Sequence, residues 1–145
     1  EYTANVTVPD FVEKFTADCD VSNITFSNIS GSVNGYVDVG NITCTAVEFT
    51  APSEIKANTG NIAMTDANIY NADTEISAVA GNIVIALPDS KSEGGNIKIS
   101  VETGDVKFKG NEPYNITEDE KDSKKLEVNS CNIEASVNTG NITIE

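Results

Sequence analysis

The chain has 145 residues, within the range of one domain that buries a continuous core without disulfides or a metal. It carries 23 acidic residues against nine lysines, with no arginine and no histidine, for a net charge of −14. That balance excludes nucleic acid as a partner, makes an anionic membrane face unwelcoming, and removes histidine-based triads and the usual zinc sites together.

The apolar vocabulary is narrow. Ile and Val dominate, Leu occurs only at Leu87 and Leu126, Met only at Met64, and Trp is absent. β-branched residues separated by Thr, Ser, Asn and Gly describe many short strands better than long helices. No run approaches the length of a membrane-spanning helix, and no signal or anchor is visible in the chain. We therefore read a single domain over 1–145, divided into a strand and cap segment (1–20), repeat coils (21–108), a charged loop insertion (109–125) and a final coil (126–145).

In the first segment, Phe11 and Phe15 stand four apart within 9–15, which predicts one or two helical turns covering the open end of a repeat stack. From there on, self-similarity is the strongest signal. The unit recurs as Gly40-Asn41-Ile42, Gly60-Asn61-Ile62, Gly81-Asn82-Ile83, Gly95-Asn96-Ile97, Gly104-Asp105-Val106 and Gly140-Asn141-Ile142. Copies without the glycine occur at Asn23, Asn28, Asn68, Asn115 and Asn132, each followed by Ile. After the strong copies apolar residues alternate, as in Ile83, Ile85 and Leu87 or Ile97, Ile99 and Val101, the period of a strand with one dry face. Gly takes the positive φ of a sharp corner and Asn tolerates it, so the twelve Gly and Asn/Asp positions of the six strong copies are assigned to turns, with matched Asn able to stack into a ladder.

Spacing separates two architectures. Ile55, Ile62, Ile69, Ile76 and Ile83 are each seven apart, and Gly40, Gly60, Gly81 and Gly104 follow at 20, 21 and 23. Constant separations belong to a coil that translates, whereas an antiparallel meander alternates long and short ones. The expected fold is an all-β, three-faced parallel β-solenoid of about 21 residues per coil. The alternative is an antiparallel meander or small β-sandwich, favoured locally by the hairpin signal Asn34-Gly35.

Two segments interrupt the rhythm. Residues 88–95 replace one face with a loop, and 109–125 form a longer charged excursion before the pattern resumes at Leu126. Loops on a rigid scaffold are where partner contacts concentrate, so Glu112, Pro113, Tyr114, Glu118 and Asp119 are candidate contact residues. The chain ends in mid-strand at 142–145, where an uncovered edge would pair with a second copy.

Little chemistry is encoded. The three cysteines, Cys19, Cys44 and Cys131, form no CxxC pair, and Cys44 and Cys131 share the apolar register of Ile42 and Ile133. The acidic run at Glu118, Asp119, Glu120 and Asp122 lacks the spacing of a calcium loop. No catalytic, cofactor-binding or metal residue is assigned. A glycan-active β-helix enzyme is the alternative, and it requires carboxylates converging about 5–10 Å apart in a groove. N-x-S/T triplets at Asn5, Asn23, Asn28, Asn41, Asn115 and Asn141 mostly restate the repeat corner. The tyrosines Tyr2, Tyr36, Tyr70 and Tyr114 are isolated.

The unit I-x-A-x-T-G-[ND]-[IV]-x-[IMF], present at 55–64, at 99–108 and with one added residue at 133–144, resembles the bacterial adhesin-type domain family, a group of repetitive β-helix-like domains of unknown function. The resemblance covers 21–144, departs over 109–125, and carries over no catalytic residues. It implies an extracellular or cell-envelope location and an adhesive or scaffolding role toward protein or glycan. A partner-binding module of a membrane-anchored envelope protein is a further alternative.

Overall fold

A computed structural model of the chain describes residues 13–66, 68–69, 72–87, 94–110, 115–120, 123–128 and 131–144. Among them every regular element is a strand. In chain order these are β1 (Lys14–Val21), β2 (Ile24–Ser27), β3 (Ser30–Val39), β4 (Ile42–Thr45), β5 (Glu48–Phe49), β6 (Ser53–Thr59), β7 (Ile62–Thr65) and β8 (Asn68–Ile69). They continue as β9 (Asp73–Ala80), β10 (Ile83–Leu87), β11 (Asn96–Thr103), β12 (Val106–Gly110), β13 (Asn115–Glu120), β14 (Ser123–Val128), β15 (Cys131–Thr139) and β16 (Ile142–Ile144).

A long face stacks β1, β3, β6, β9, β11 and β15 in parallel. A short face stacks β2, β4, β7, β10, β12 and β16, again in parallel. A third face is two residues wide, formed by Ser30 and Gly31 with β5 and β8. The protein is a parallel β-solenoid, and among the described residues antiparallel pairing is confined to β13, β14 and the edge of β15. Equivalent corner residues on successive rungs lie 18, 20, 21, 23 and 36 residues apart.

Parallel stacking in constant register places like on like. Ile55 pairs with Ile76 and Ile76 with Ile99 inside the long face, while Ile42, Ile62, Ile83 and Val106 line the short one. All seven are buried. Each such side chain contributes about 1.5–3 kcal/mol on removal from water, and no rung completes this core alone. The five isoleucines seven apart occupy the long, short, third, long and short faces in turn. Cys44 stacks between Phe26 and Met64 as one more small apolar residue.

Where the structure departs from sequence expectations, the reasons are local. Phe15 lies in β1, half-buried against the core, so the expected helix does not include it; Phe11 lies outside the described residues. Asn34-Gly35 is mid-strand in β3, because a Cβ on Gly35 would stand 2.8 Å from the Phe26 ring: the glycine makes room for packing, not a turn. The 109–125 excursion carries strand β13 and the start of β14, which pair as an antiparallel hairpin with a register shift between Glu118 and Glu120. Leu126 belongs to this hairpin, and the parallel rungs resume only at Cys131. Residues 88–93 lie outside the described set; Gly94 and Gly95 beyond them both have positive φ.

Candidate functional site

The Gly-Asn corners are built by two ladders. Gly40, Gly60, Gly81, Gly104 and Gly140 all have φ between 145° and 158°, and a Cβ on each of the last four would collide with the carbonyl oxygen of the glycine one rung before. Beside them, the backbone N–H of Asn41 donates to Asn23 Oδ1 at 2.9 Å, Asn61 to Asn41 at 2.9 Å, and Asn82 to Asn61 at 2.9 Å. The series continues with Asp105 on Asn82 and Asn141 on Asp105, both at 2.8 Å. Asn41 and Asn141 also spend their amide groups on the neighbouring ladder residue, and Asn23 accepts from Asn41, so three of the N-x-S/T asparagines serve the corner.

Gly95-Asn96 does not join these ladders. It stands at the other end of the long face, where the chain begins β11, and the Asn96 amide donates to Asp73 Oδ1 at 2.8 Å. A Cβ on Gly95 would meet the backbone of Ala72. Of the loop candidates, Glu118 and Asp119 lie on β13, while Glu112, Pro113 and Tyr114 are outside the described residues.

The long face turns regular columns of side chains outward. One runs Thr16, Asn34, Glu54, Glu75, Lys98 and Glu134, and the next Asp18, Tyr36, Lys56, Ser77, Ser100 and Ser136. Register partners on neighbouring strands sit about 4.8 Å apart along the stack. At the end where β6, β9 and β11 begin, Asn34, Glu54, Asp73, Glu75, Asn96 and Lys98 surround an open groove of about 500 Å³. Its walls include Ser53, whose hydroxyl accepts from Val33 N–H and donates to the Ala51 carbonyl, each at 2.9 Å. Thr74, in register with Ser53, is buried and its hydroxyl has no hydrogen-bond partner among the described residues.

Comparison with protein-family models, with curated proteins and with solved structures returns no match to this chain. The site therefore stands on its own geometry.

Glu54 pairs with Lys56 at 3.0 Å, and this hydrogen bond and charge raise the Lys56 ammonium above its ordinary value. Both side chains are well exposed, so the pair adds little to stability. The groove presents carboxylates, amides and one ammonium to solvent, a set suited to hydrogen-bonding a polar ligand. Among the described residues no cluster of His, Cys, Asp or Glu could hold a metal ion. Cys44 offers no nucleophile, since burial pushes its thiol up to about 12. The short face presents a different surface: Thr25, Thr43, Ala63, Val84, Lys107 and Thr143 form one outward column and Ser27, Thr45, Thr65, Ala86 and Lys109 the next, uncharged except for the two lysines of β12.

The sequence marked the corners and missed the groove. Its residues are 20 to 23 positions apart, and only writing the coils beneath one another would have aligned Asn34, Glu54, Glu75 and Lys98.

Proposed function

We propose that this chain is a non-catalytic bacterial domain of the cell surface or envelope that attaches to a protein or glycan through its long face. The observation that carries this reading is the open groove of Asn34, Glu54, Asp73, Glu75, Asn96 and Lys98 on a rigid, in-register sheet. Polar groups on rigid strands hydrogen-bond a partner without first being ordered, which lowers the cost of association. The envelope location rests on the resemblance of the repeat unit to adhesin-type domains. A net charge of −14 disfavours nucleic acid and anionic lipid as partners.

The glycan-active reading draws on the same groove, because Glu54 and Glu75 are register partners there. Against it stands the wide exposure of the groove and of the Glu54 side chain, where glycan hydrolysis calls for carboxyls converging in a sheltered cleft.

A labelled chain applied to glycan and matrix-protein arrays tests both readings. A triple variant, Glu54→Gln, Glu75→Gln and Lys98→Ala, is expected to lose binding at least tenfold, and a version shortened over 109–125 to keep it. Binding that survives the triple variant removes the groove from the mechanism. Release of reducing ends from a bound glycan would replace attachment by catalysis.

A further inference from the structure

The groove on the long face is rich in acceptors and poor in donors. Glu54, Asp73 and Glu75 bring three carboxylates to its wall, against one ammonium, Lys98. The two amides beside them each spend an N–H on a neighbour: Asn34 on Ser32 Oγ at 3.2 Å and Asn96 on Asp73 Oδ1 at 2.8 Å. Glu54 and Glu75 are register partners, and like charges directly opposite one another on neighbouring strands are unfavourable until a cation joins them. Lys56 meets that need on one side: two residues beyond Glu54 on the same strand, it bonds Glu54 at 3.0 Å and is held protonated by the charges of Glu54 and Glu75 together. On the other side, two residues before Glu75, stands a third carboxylate, Asp73, in place of a cation.

A second observation lies between Asp73 and Glu75. Thr74 is 2% exposed and belongs to the wall of the groove, yet its hydroxyl has no hydrogen-bond partner among the described residues. Its register partner Ser53, one rung earlier in the same wall, has both a donor and an acceptor. A buried hydroxyl left unmet is unfavourable, and a polar group seated in the groove supplies what the fold does not.

A ligand that answers this set brings donors and positive charge. A guanidinium carries five N–H donors and no acceptor, and its planar fork engages more than one carboxylate, whereas an ammonium is a strongly hydrated point charge. Sugar hydroxyls accept as readily as they donate and favour an aromatic platform, and no aromatic residue lines the groove. The net charge of −14 steers basic partners toward the chain.

We propose that the groove receives an arginine side chain from a basic segment of a protein partner, with Glu54, Asp73 and Glu75 taking the guanidinium and the Thr74 hydroxyl as a further acceptor. This rests on the reading of the long face as the attachment surface, and narrows its partner from protein or glycan to a basic polypeptide.

The test is an NMR titration of the whole chain with peptides Gly-Ser-X-Ser-Gly, in which X is arginine, lysine or citrulline, the last keeping the shape of arginine without its charge. The arginine peptide is expected to shift the backbone amides of Glu54, Asp73, Thr74 and Glu75 saturably, the lysine peptide to bind about threefold more weakly, and the citrulline peptide not to bind. Asp73→Asn and Glu75→Gln are each expected to lower the affinity about threefold or more, and Thr74→Val about twofold with no fall in melting temperature. Lys98→Ala removes a like charge and is expected to raise the affinity about twofold. Glu102→Gln loses the same charge on β11 outside the groove and is expected to change nothing, which separates the site from bulk attraction. An equal response to citrulline, an affinity untouched by Asp73→Asn, Glu75→Gln or Thr74→Val, or weaker binding in Lys98→Ala overturns the proposal. A glycan captured on the arrays through the groove, with no response to the arginine peptide, overturns it while attachment through the long face stands; arrays on which no capture depends on the groove remove both.

Discussion

At the scale of single residues, a glycine corner and an alanine corner respond in opposite ways to one methyl group. Gly60 has φ 148°, and a Cβ there runs into the Gly40 carbonyl, so Gly60→Ala is expected to lower stability by ~3 kcal/mol. Ala46 has φ 53°, in the left-handed region that costs a Cβ-bearing residue about 1 kcal/mol, so Ala46→Gly is expected to raise stability by up to that amount. Urea midpoints at unchanged slope read both. Cys44 adds a pH dependence. Its thiol lies at about 12 in the fold against an ordinary 9.0, so between those values the folded chain keeps a proton that the unfolded chain has lost. The contribution is whole below pH 9 and fades as pH rises toward 12, by at most ~1.4 kcal/mol per pH unit. Urea titrations of the intact chain and Cys44→Ala across that window should converge as pH rises; parallel curves would refute the assignment. The sequence showed Cys44 in an apolar register but gave no sign of Ala46, since alanine carries no turn signature.

At the scale of elements, the asparagine ladder is the joint between the two main faces. Asn61→Ala removes the acceptor of the Asn82 N–H, which water at this exposed corner replaces in part, so a loss of about 1 kcal/mol is expected. Asn61→Asp should be tolerated, because Asp105 already fills the equivalent place and accepts from Asn141. Thermal melts of the two variants distinguish a hydrogen-bonding ladder from a mere preference for polar residues. The corners were legible because Gly and Asn advertise positive φ, but the tripeptide Gly-Asn-Ile does not say which corner it turns. Gly95-Asn96-Ile97 reads like the others and yet opens a long strand, while Gly40-Asn41-Ile42 opens a short one. The hairpin escaped notice for another reason. Its sequence is dominated by charge, and strands appended to an edge do not show the apolar alternation that a buried face imposes.

At the scale of the whole molecule, the parallel course of the chain followed from isoleucines at constant spacing, a pattern that antiparallel strands cannot produce. The groove was not legible, because it exists only after coils of unequal length have been aligned. The same stacking has a mechanical consequence. β1 and β16 lie in the first and last described rungs, so tension applied between them loads the strand pairings one coil at a time and peels them from an end. Each 21-residue coil should then yield a length increment of about 70 Å, and the 36-residue coil one of about 120 Å. An optical trap would record a staircase with one oversized tread, whereas a single rip would mean that the rungs fail together.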